Sequence, residues 1–232
     1  MKVWIVFAAA LAGHGQILGT PNAEGAAGSE GVPHAAVAAP AVADPRHIAN
    51  GWPIPSEGYA DQPYLVKTAD GAWLCVVTTG KGVEGAGGQH VISMRSTDRG
   101  RTWSKPVDVE PADGPEASYA VLLKTPAGRI YCFYNHNTDR VREVKREDRG
   151  VYQRVDSLGH YAFKFSDDHG RTWSQQRYDV PVREFACDRN NVYGGKLRFF
   201  WNVGRPLAVG GAAICVLHKV GAMGEGFFAQ SE

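Results

Sequence analysis

Between two apolar runs lies Gly80-Lys81-Gly82-Val83-Glu84-Gly85-Ala86-Gly87-Gly88, a glycine-dominated stretch that presents one carboxylate before continuing into Gln89-His90. A glutamate on such a loop can serve as general acid or base once a closed site raises its pKa, which makes Glu84 the candidate catalytic residue. The glycines do not mark a phosphate cradle, because no Gly-Lys-Ser/Thr follows and no helix is predicted. A second set of polar groups, His90, Glu116, Tyr119, His136 and His160, falls at the expected ends of strands. No Cys/His spacing suits zinc, and neither a metal nor another cofactor is expected.

These residues need a scaffold, and two internal repeats define it. Ser96-Thr97-Asp98-Arg99-Gly100-Arg101-Thr102-Trp103 recurs as Ser166-Asp167-Asp168-His169-Gly170-Arg171-Thr172-Trp173. The chemistry is that of a hairpin turn: the Asp side chain accepts from backbone amides of its own turn, the Gly takes a positive φ, and Ser and Thr hydroxyls bracket the loop. The Trp opens the returning strand and packs under a neighbour. A second repeat lays Leu65-Val66-Lys67-Thr68-Ala69-Asp70-Gly71-Ala72-Trp73-Leu74-Cys75 over Leu122-Leu123-Lys124-Thr125-Pro126-Ala127-Gly128-Arg129-Ile130-Tyr131-Cys132, each reading as strand, Gly turn, strand. A looser third copy is expected over Asn191–Trp201.

The pattern S-x-D-x-G-x-T-W, with Ser96, Asp98, Gly100, Thr102 and Trp103 in one copy and Ser166, Asp168, Gly170, Thr172 and Trp173 in the other, resembles the Asp box, or BNR repeat, of the sialidase (neuraminidase) superfamily. In that family the box joins the third and fourth strands of a blade, so the role implied for these residues is structural. The resemblance implies an all-β fold, a β-propeller of four-stranded antiparallel blades, six when complete. Blade one would span about 59–110, blade two about 118–180, and an incomplete third about 185–232. Expected strands are Pro63–Thr68, Ala72–Thr79, Gln89–Thr97 and Thr102–Glu110, then Tyr119–Thr125, Arg129–Asn135, His160–Ser166 and Thr172–Val180.

Function follows from the same resemblance, as an expectation. It implies an exo-acting glycoside hydrolase that cleaves a terminal sugar from glycans in an axial pocket, with a glycan or oligosaccharide as partner. The family's acid/base residue lies about fourteen residues before the box Asp, which reaches Glu84 from Asp98. Its first blade opens on Arg-Ile-Pro, whose Arg binds a substrate carboxylate; here Asp61-Gln62-Pro63 stands instead, and a carboxylate there would repel an anionic sugar. Asp61, Gln62, His90, Glu116 and His136 are the expected sugar contacts. Two alternatives are a propeller-type polysaccharide lyase using His and Tyr, and a non-catalytic glycan-binding propeller. The charged insertion Thr138–Ser157 reads either as a solvated loop or as a rim over the pocket.

The remaining features bound the chain. A formal charge of +1 over 232 residues, with Lys and Arg scattered, argues against a nucleic-acid or anionic-membrane surface. Lys2 followed by an apolar run to Ala12 has the shape of a signal peptide, taken as 1–23, which predicts a secreted or periplasmic protein with no further membrane segment. Residues 24–47, rich in Ala, Gly and Pro, are expected to be a disordered linker, and 48–232 the partial propeller. Cys75, Cys132 and Cys215 sit in apolar runs and read as small buried hydrophobes, while Cys187 looks loop-like. Two and a half blades cannot close a ring, so the chain is expected to be the N-terminal part of a larger protein and poorly soluble alone.

Overall fold

The computed structural model describes residues 3–6, 44, 47–147, 150–197, 204–219 and 225–231. Most of the expected leader and linker therefore lies outside the described residues. The chain divides into two compact units, the smaller running from 9 to 51. In that smaller unit Ile48–Asn50 form a 3-10 turn, entered through His47, whose Nδ1 accepts from the Ala49 amide at 3.2 Å.

The main unit is built from antiparallel sheets. Its first strand, β1 (Val3–Val6), is considered with its partners below. The first sheet has the order β2 (Tyr59–Lys67), β3 (Trp73–Gly80), β4 (Gln89–Ser96), β5 (Val107–Asp108). The second starts with β6 (Ala117–Lys124) and β7 (Ile130–His136). The insertion follows and carries a small hairpin, β8 (Val144–Lys145) with β9 (Val151–Tyr152). Beyond a 3-10 turn at Val155–Ser157 the second sheet resumes with β10 (His160–Ser166) and β11 (Tyr178–Asp179), in the order β6-β7-β10-β11. A short helix, α1 (Ala186–Arg189), precedes the third sheet of β12 (Leu207–Val209), β13 (Ala212–Lys219) and β14 (Glu225–Ser231). There β1 pairs with β14 as the fourth strand, so the third unit, expected to be incomplete, takes its outer strand from the N-terminal run. No helix among the described residues is long and apolar enough to cross a membrane.

Burial explains why β3 and β7 read as nearly continuous apolar runs: both of their faces are covered. Leu74, Val76, Val91 and Val109 of the first sheet pack against Ala120, Leu122, Cys132, Tyr134 and Ala162 of the second. The opposite face of the second sheet, Val121, Leu123, Phe133 and Tyr161, meets Cys215 and Leu217 of the third. Each fully buried aliphatic side chain in such a layer contributes roughly 1.5–3 kcal/mol relative to exposure. Cys75, Cys132 and Cys215 all lie buried on second strands, and burial pushes the Cys75 thiol up to about 12.

The two Asp-Gly turns have nearly the same hydrogen bonds. Ser96 Oγ accepts from the Gly100 amide at 2.7 Å, and Asp98 accepts from the Thr102 amide at 2.9 Å and hydroxyl at 2.7 Å. Ser166 and Asp168 repeat this with Gly170 and Thr172 at 2.8, 2.9 and 2.6 Å. In the second turn Gly170 is needed twice over: its φ is +81°, and a Cβ there would come within 2.5 Å of Leu74 in the first sheet. Trp173 also reaches across, its Nε1 donating to Ser93 Oγ at 2.8 Å. The fourth strands, expected from Thr102 and Thr172, shrink to two residues each. The cause is local: the Arg95 and Phe165 amides donate to the Ser104 and Ser174 hydroxyls, which replace ladder carbonyls directly after each turn.

The third hairpin is a correction. Asn191–Leu197 forms a turn in which Asn191 Oδ1 accepts from the Tyr193 and Gly195 amides, and 198–203 lie outside the described residues. The hairpin is instead β12–β13, turning at Gly210-Gly211. Gly211 precedes Cys215 by the spacing already present in Gly71/Cys75 and Gly128/Cys132.

Candidate active site

At the end of the sheets away from the Asp-Gly turns, both first strands break in the same way. Register shifts between Asp61 and Tyr64 in β2 and between Ser118 and Val121 in β6. Each bulge holds one non-glycine residue in the left-handed region, Gln62 at φ +49° and Tyr119 at +58°. Such backbone costs free energy and survives where surrounding bonds over-determine it. For Tyr119 the bond is visible: its amide leaves the ladder and donates to Thr78 Oγ1 of the first sheet at 3.0 Å.

The bulges face a polar cluster that no single stretch of chain could assemble. Arg154, entering the 3-10 turn of the insertion, points Nη2 at Glu84 Oε1 (2.5 Å), Asp156 Oδ2 (2.7 Å) and the Tyr119 hydroxyl (2.9 Å). The Tyr119 hydroxyl lies 2.5 Å from Asp156 Oδ2 and 3.3 Å from Glu84 Oε1. Tyr59 and Asp61 complete the group. Burial first, then the charges of Asp61, Glu84 and Asp156, push the Tyr59 phenol up. Asp61 is raised by burial and next by Glu84.

Glu84 and Asp156 differ in access. The Glu84 side chain is 52% exposed while that of Asp156 is 1% exposed. The glycine-rich loop that carries Glu84 is docked rather than free, since the Val155 amide donates to the Gly85 carbonyl at 3.1 Å and Gln89 Nε2 to the Val83 carbonyl at 2.7 Å. A Cβ at Gly85 would approach Arg154 Cγ to 2.8 Å, so glycine there lets the arginine stem lie against the loop. The insertion contributes both Arg154 and Asp156 to this cluster and packs against the glycine-rich loop.

The other expected contacts are placed around this cluster or beneath it. Glu116 accepts from Arg142 at 2.5 Å, Asn137 at 3.1 Å and the Gly88 amide at 3.3 Å, tying the glycine-rich loop to the insertion. Burial would raise its pKa, but its own amide, Arg142, Asn137 and Gly88 together hold it below the ordinary value. His90 is buried, with Nε2 2.9 Å from Glu57 and Nδ1 3.1 Å from the Glu110 carbonyl. His136 is fully buried between the first two sheets, and burial, followed by Arg177, pushes it down to about 4. The bonds formed by these two histidines do not reach Glu84, Asp156 or Tyr119. His160, paired with Asp139 at 2.7 Å, lines a separate cavity of about 690 Å³ behind Leu158.

Composition and spacing missed Tyr59, Arg154 and Asp156. The count of about fourteen that leads from Asp98 to Glu84 leads from Asp168 to Arg154, two residues before Asp156 and in the corresponding inter-strand loop of the second sheet. Also missed was a buried ionic node between the sheets, where Glu110 meets Tyr134 (2.5 Å), Arg177 (3.3 Å) and Lys164 (3.4 Å). Burial alone would raise Glu110, yet Tyr134, Lys164, His136 and Arg177 hold it low. Among the described residues no group of three or more His, Cys, Asp or Glu is placed to hold a metal ion.

No family model and no curated protein matches the chain. Solved structures do. A protein of unknown function from Dyadobacter fermentans superposes with a TM-score of 0.53 at 15% identity, covering 75% of this chain and 51% of that one. The Hadza microbial sialidase Hz136 gives 0.51 at 15% identity, covering 73% and 34%. An α-L-arabinanase from Penicillium chrysogenum, complexed with arabinobiose, gives 0.44 at 17% identity, covering 69% and 41%. The likeness is one of fold. The chain spans about half the length of the first of these and a third of the second.

Proposed function

We propose that the chain is part of an exported glycoside hydrolase of the sialidase type, an exo-acting enzyme on a six-bladed propeller scaffold that removes a terminal sugar from a glycan. The observation that carries this reading is the convergence of Glu84, Asp156 and the Tyr119 hydroxyl on one guanidinium nitrogen of Arg154. Glycosidic cleavage needs one carboxyl group to protonate the leaving oxygen and a second negative group to face the sugar's oxocarbenium-like transition state. Glu84, on the exposed side, fits the first role and later accepts a proton from water. Asp156, buried and hydrogen-bonded to Tyr119, fits the second. Arg154 donates to both carboxyl groups and aims them. The lyase alternative draws no support from His90 or His136, whose buried rings are bonded away from this cluster.

The test is turnover of aryl glycosides by the full-length protein carrying Glu84→Gln. Because Glu84 is half-exposed and the change is isosteric, thermal melting should stay unchanged while kcat falls by roughly 10²–10⁴-fold. Retained turnover would remove Glu84 from the mechanism. Export rests on Lys2 and the apolar run after it, and cleavage there would remove β1 from the third sheet. N-terminal sequencing of secreted protein should begin near Ala23; protein retained in the cell with Met1 intact would contradict export.

A further inference from the structure

We propose that the cleft lined by the first strands of all three sheets binds a small organic phosphate. The strands β2, β6 and β12 each end the order of their sheet, and together they wall one cavity of about 500 Å³. Three cations line it: Lys67 closes β2, Lys124 closes β6, and Arg205 stands two residues before β12. The lysines hold the same place in the two hairpin repeats, four residues before Gly71 and Gly128. No carboxylate lines the cavity, and among the described residues none is within ion-pair distance of these three cations. The acids of the neighbouring turns are taken by other arginines. Asp70 accepts from Arg95 at 2.7 Å and Arg171 at 2.9 Å, and Asp167 accepts from Arg129 at 2.7 Å.

Three like charges sharing a cleft repel one another, and a bound anion turns that repulsion into attraction. A phosphate monoester, close to doubly charged at neutral pH, offsets them better than a singly charged carboxylate does. Ammonium groups and the guanidinium fork are the donors that suit its oxygens. Arg205 reaches toward the first sheet, since its charge opposes the upward push of burial on the Tyr64 phenol of β2. Thr125, also on the wall, spends its hydroxyl on the Arg129 carbonyl at 3.1 Å, so the cations carry the contact. Aliphatic side chains make up much of the remaining wall, with Leu65 and Leu207 43% and 49% exposed. An inorganic ion leaves them in water, whereas an organic body covers them. The volume falls in the range of small-molecule sites, roughly 300–1,000 Å³, which favours such a ligand over a protein chain. The cleft is also remote from the Arg154 cluster: Asp61 and Lys67, like Tyr119 and Lys124, are separated by roughly 15–20 Å of extended strand. The proposal therefore does not depend on the hydrolase reading.

The test is calorimetric titration of the full-length protein, at low ionic strength, with phenyl phosphate, inorganic phosphate, benzoate and benzyl alcohol. Phenyl phosphate should saturate one site and bind at least about tenfold more tightly than each of the other three. Lys67→Gln combined with Lys124→Gln, and separately Arg205→Gln, should each weaken it by at least about tenfold. Because all three side chains are exposed, melting temperatures without ligand should stay unchanged. If the double variant folds poorly, Arg205→Gln alone decides. No saturable binding of phenyl phosphate, or binding that survives these substitutions, overturns the proposal. So does benzyl alcohol or benzoate binding as tightly, since the site then reads the ring or any negative charge. Inorganic phosphate binding as tightly means an adventitious ion only and overturns it as well. Binding of a hexaglutamate peptide without binding of phenyl phosphate would put an acidic chain in the cleft instead, against the proposal.

Discussion

Asp156 and Asp168 sit twelve residues apart at opposite ends of β10, and their partners differ in kind. Asp168 is satisfied by its own turn: Ser166, Arg171 and Thr172 all lie within four residues of it. Asp156 is bonded by its neighbour Arg154 but also by Tyr119, 37 residues away, and through Arg154 it is joined to Glu84, 70 residues from that arginine. The first arrangement can be copied from sheet to sheet, because it needs nothing outside one octapeptide. The second depends on where the sheets place their ends. At the turn end the two sheets therefore repeat both backbone and chemistry. At the pocket end they repeat the left-handed bulge, but Gln62 in one and Tyr119 in the other give it different chemistry.

If the turn end is purely architectural, damage there should cost stability and leave turnover per folded molecule alone. Trp173→Ala is the severest case. The indole is 8% exposed in the core between the sheets and donates to Ser93, so its removal should cost about 3–5 kcal/mol by equilibrium denaturation. A loss below about 1 kcal/mol would mean the first two sheets are not joined through this side chain.

A milder effect comes from acid. The Thr102 hydroxyl and amide and the Ser96 hydroxyl hold Asp98 down to about 2; at Asp168 burial pushes upward, but Thr172, Ser166 and Arg171 outweigh it and hold it at about 2. Unfolded aspartate titrates near 3.9, so the folded state binds fewer protons. Their contribution is present above about pH 4 and lost as pH falls toward 2. The melting temperature should decline across that window on account of these two groups, and Asp168→Asn should flatten part of the slope. An unaltered slope would mean the turn's bonds do not favour the ionised acid.

The same contrast decides which features are legible in the sequence. The turns and the first two hairpins were legible because their signals are local: Asp, Gly and Thr within seven residues, or a Gly and a Cys four apart. The third hairpin was misplaced onto Gly194-Gly195 because that pair, too, is a local glycine turn; only the Gly211/Cys215 spacing separates it from the true one. Glu84 was reachable by counting from Asp98. Tyr59, Arg154 and Asp156 were not singled out, since an arginine and an aspartate in a charged insertion look like solvent-facing residues until the fold brings Tyr119 and Glu84 to them. His90 and His136 drew attention as reactive types at strand ends, yet burial and the Glu57 and Glu110 contacts make them parts of the packing.

The most direct measurement takes the two aspartates together: kcat/KM per folded molecule for Asp156→Asn and Asp168→Asn in the full-length protein, beside their melting temperatures. The account predicts that Asp156→Asn lowers kcat/KM by at least about 100-fold, whereas Asp168→Asn lowers the melting temperature and leaves kcat/KM within about twofold of the parent. Full activity in Asp156→Asn, or lost activity in well-folded Asp168→Asn, would contradict it.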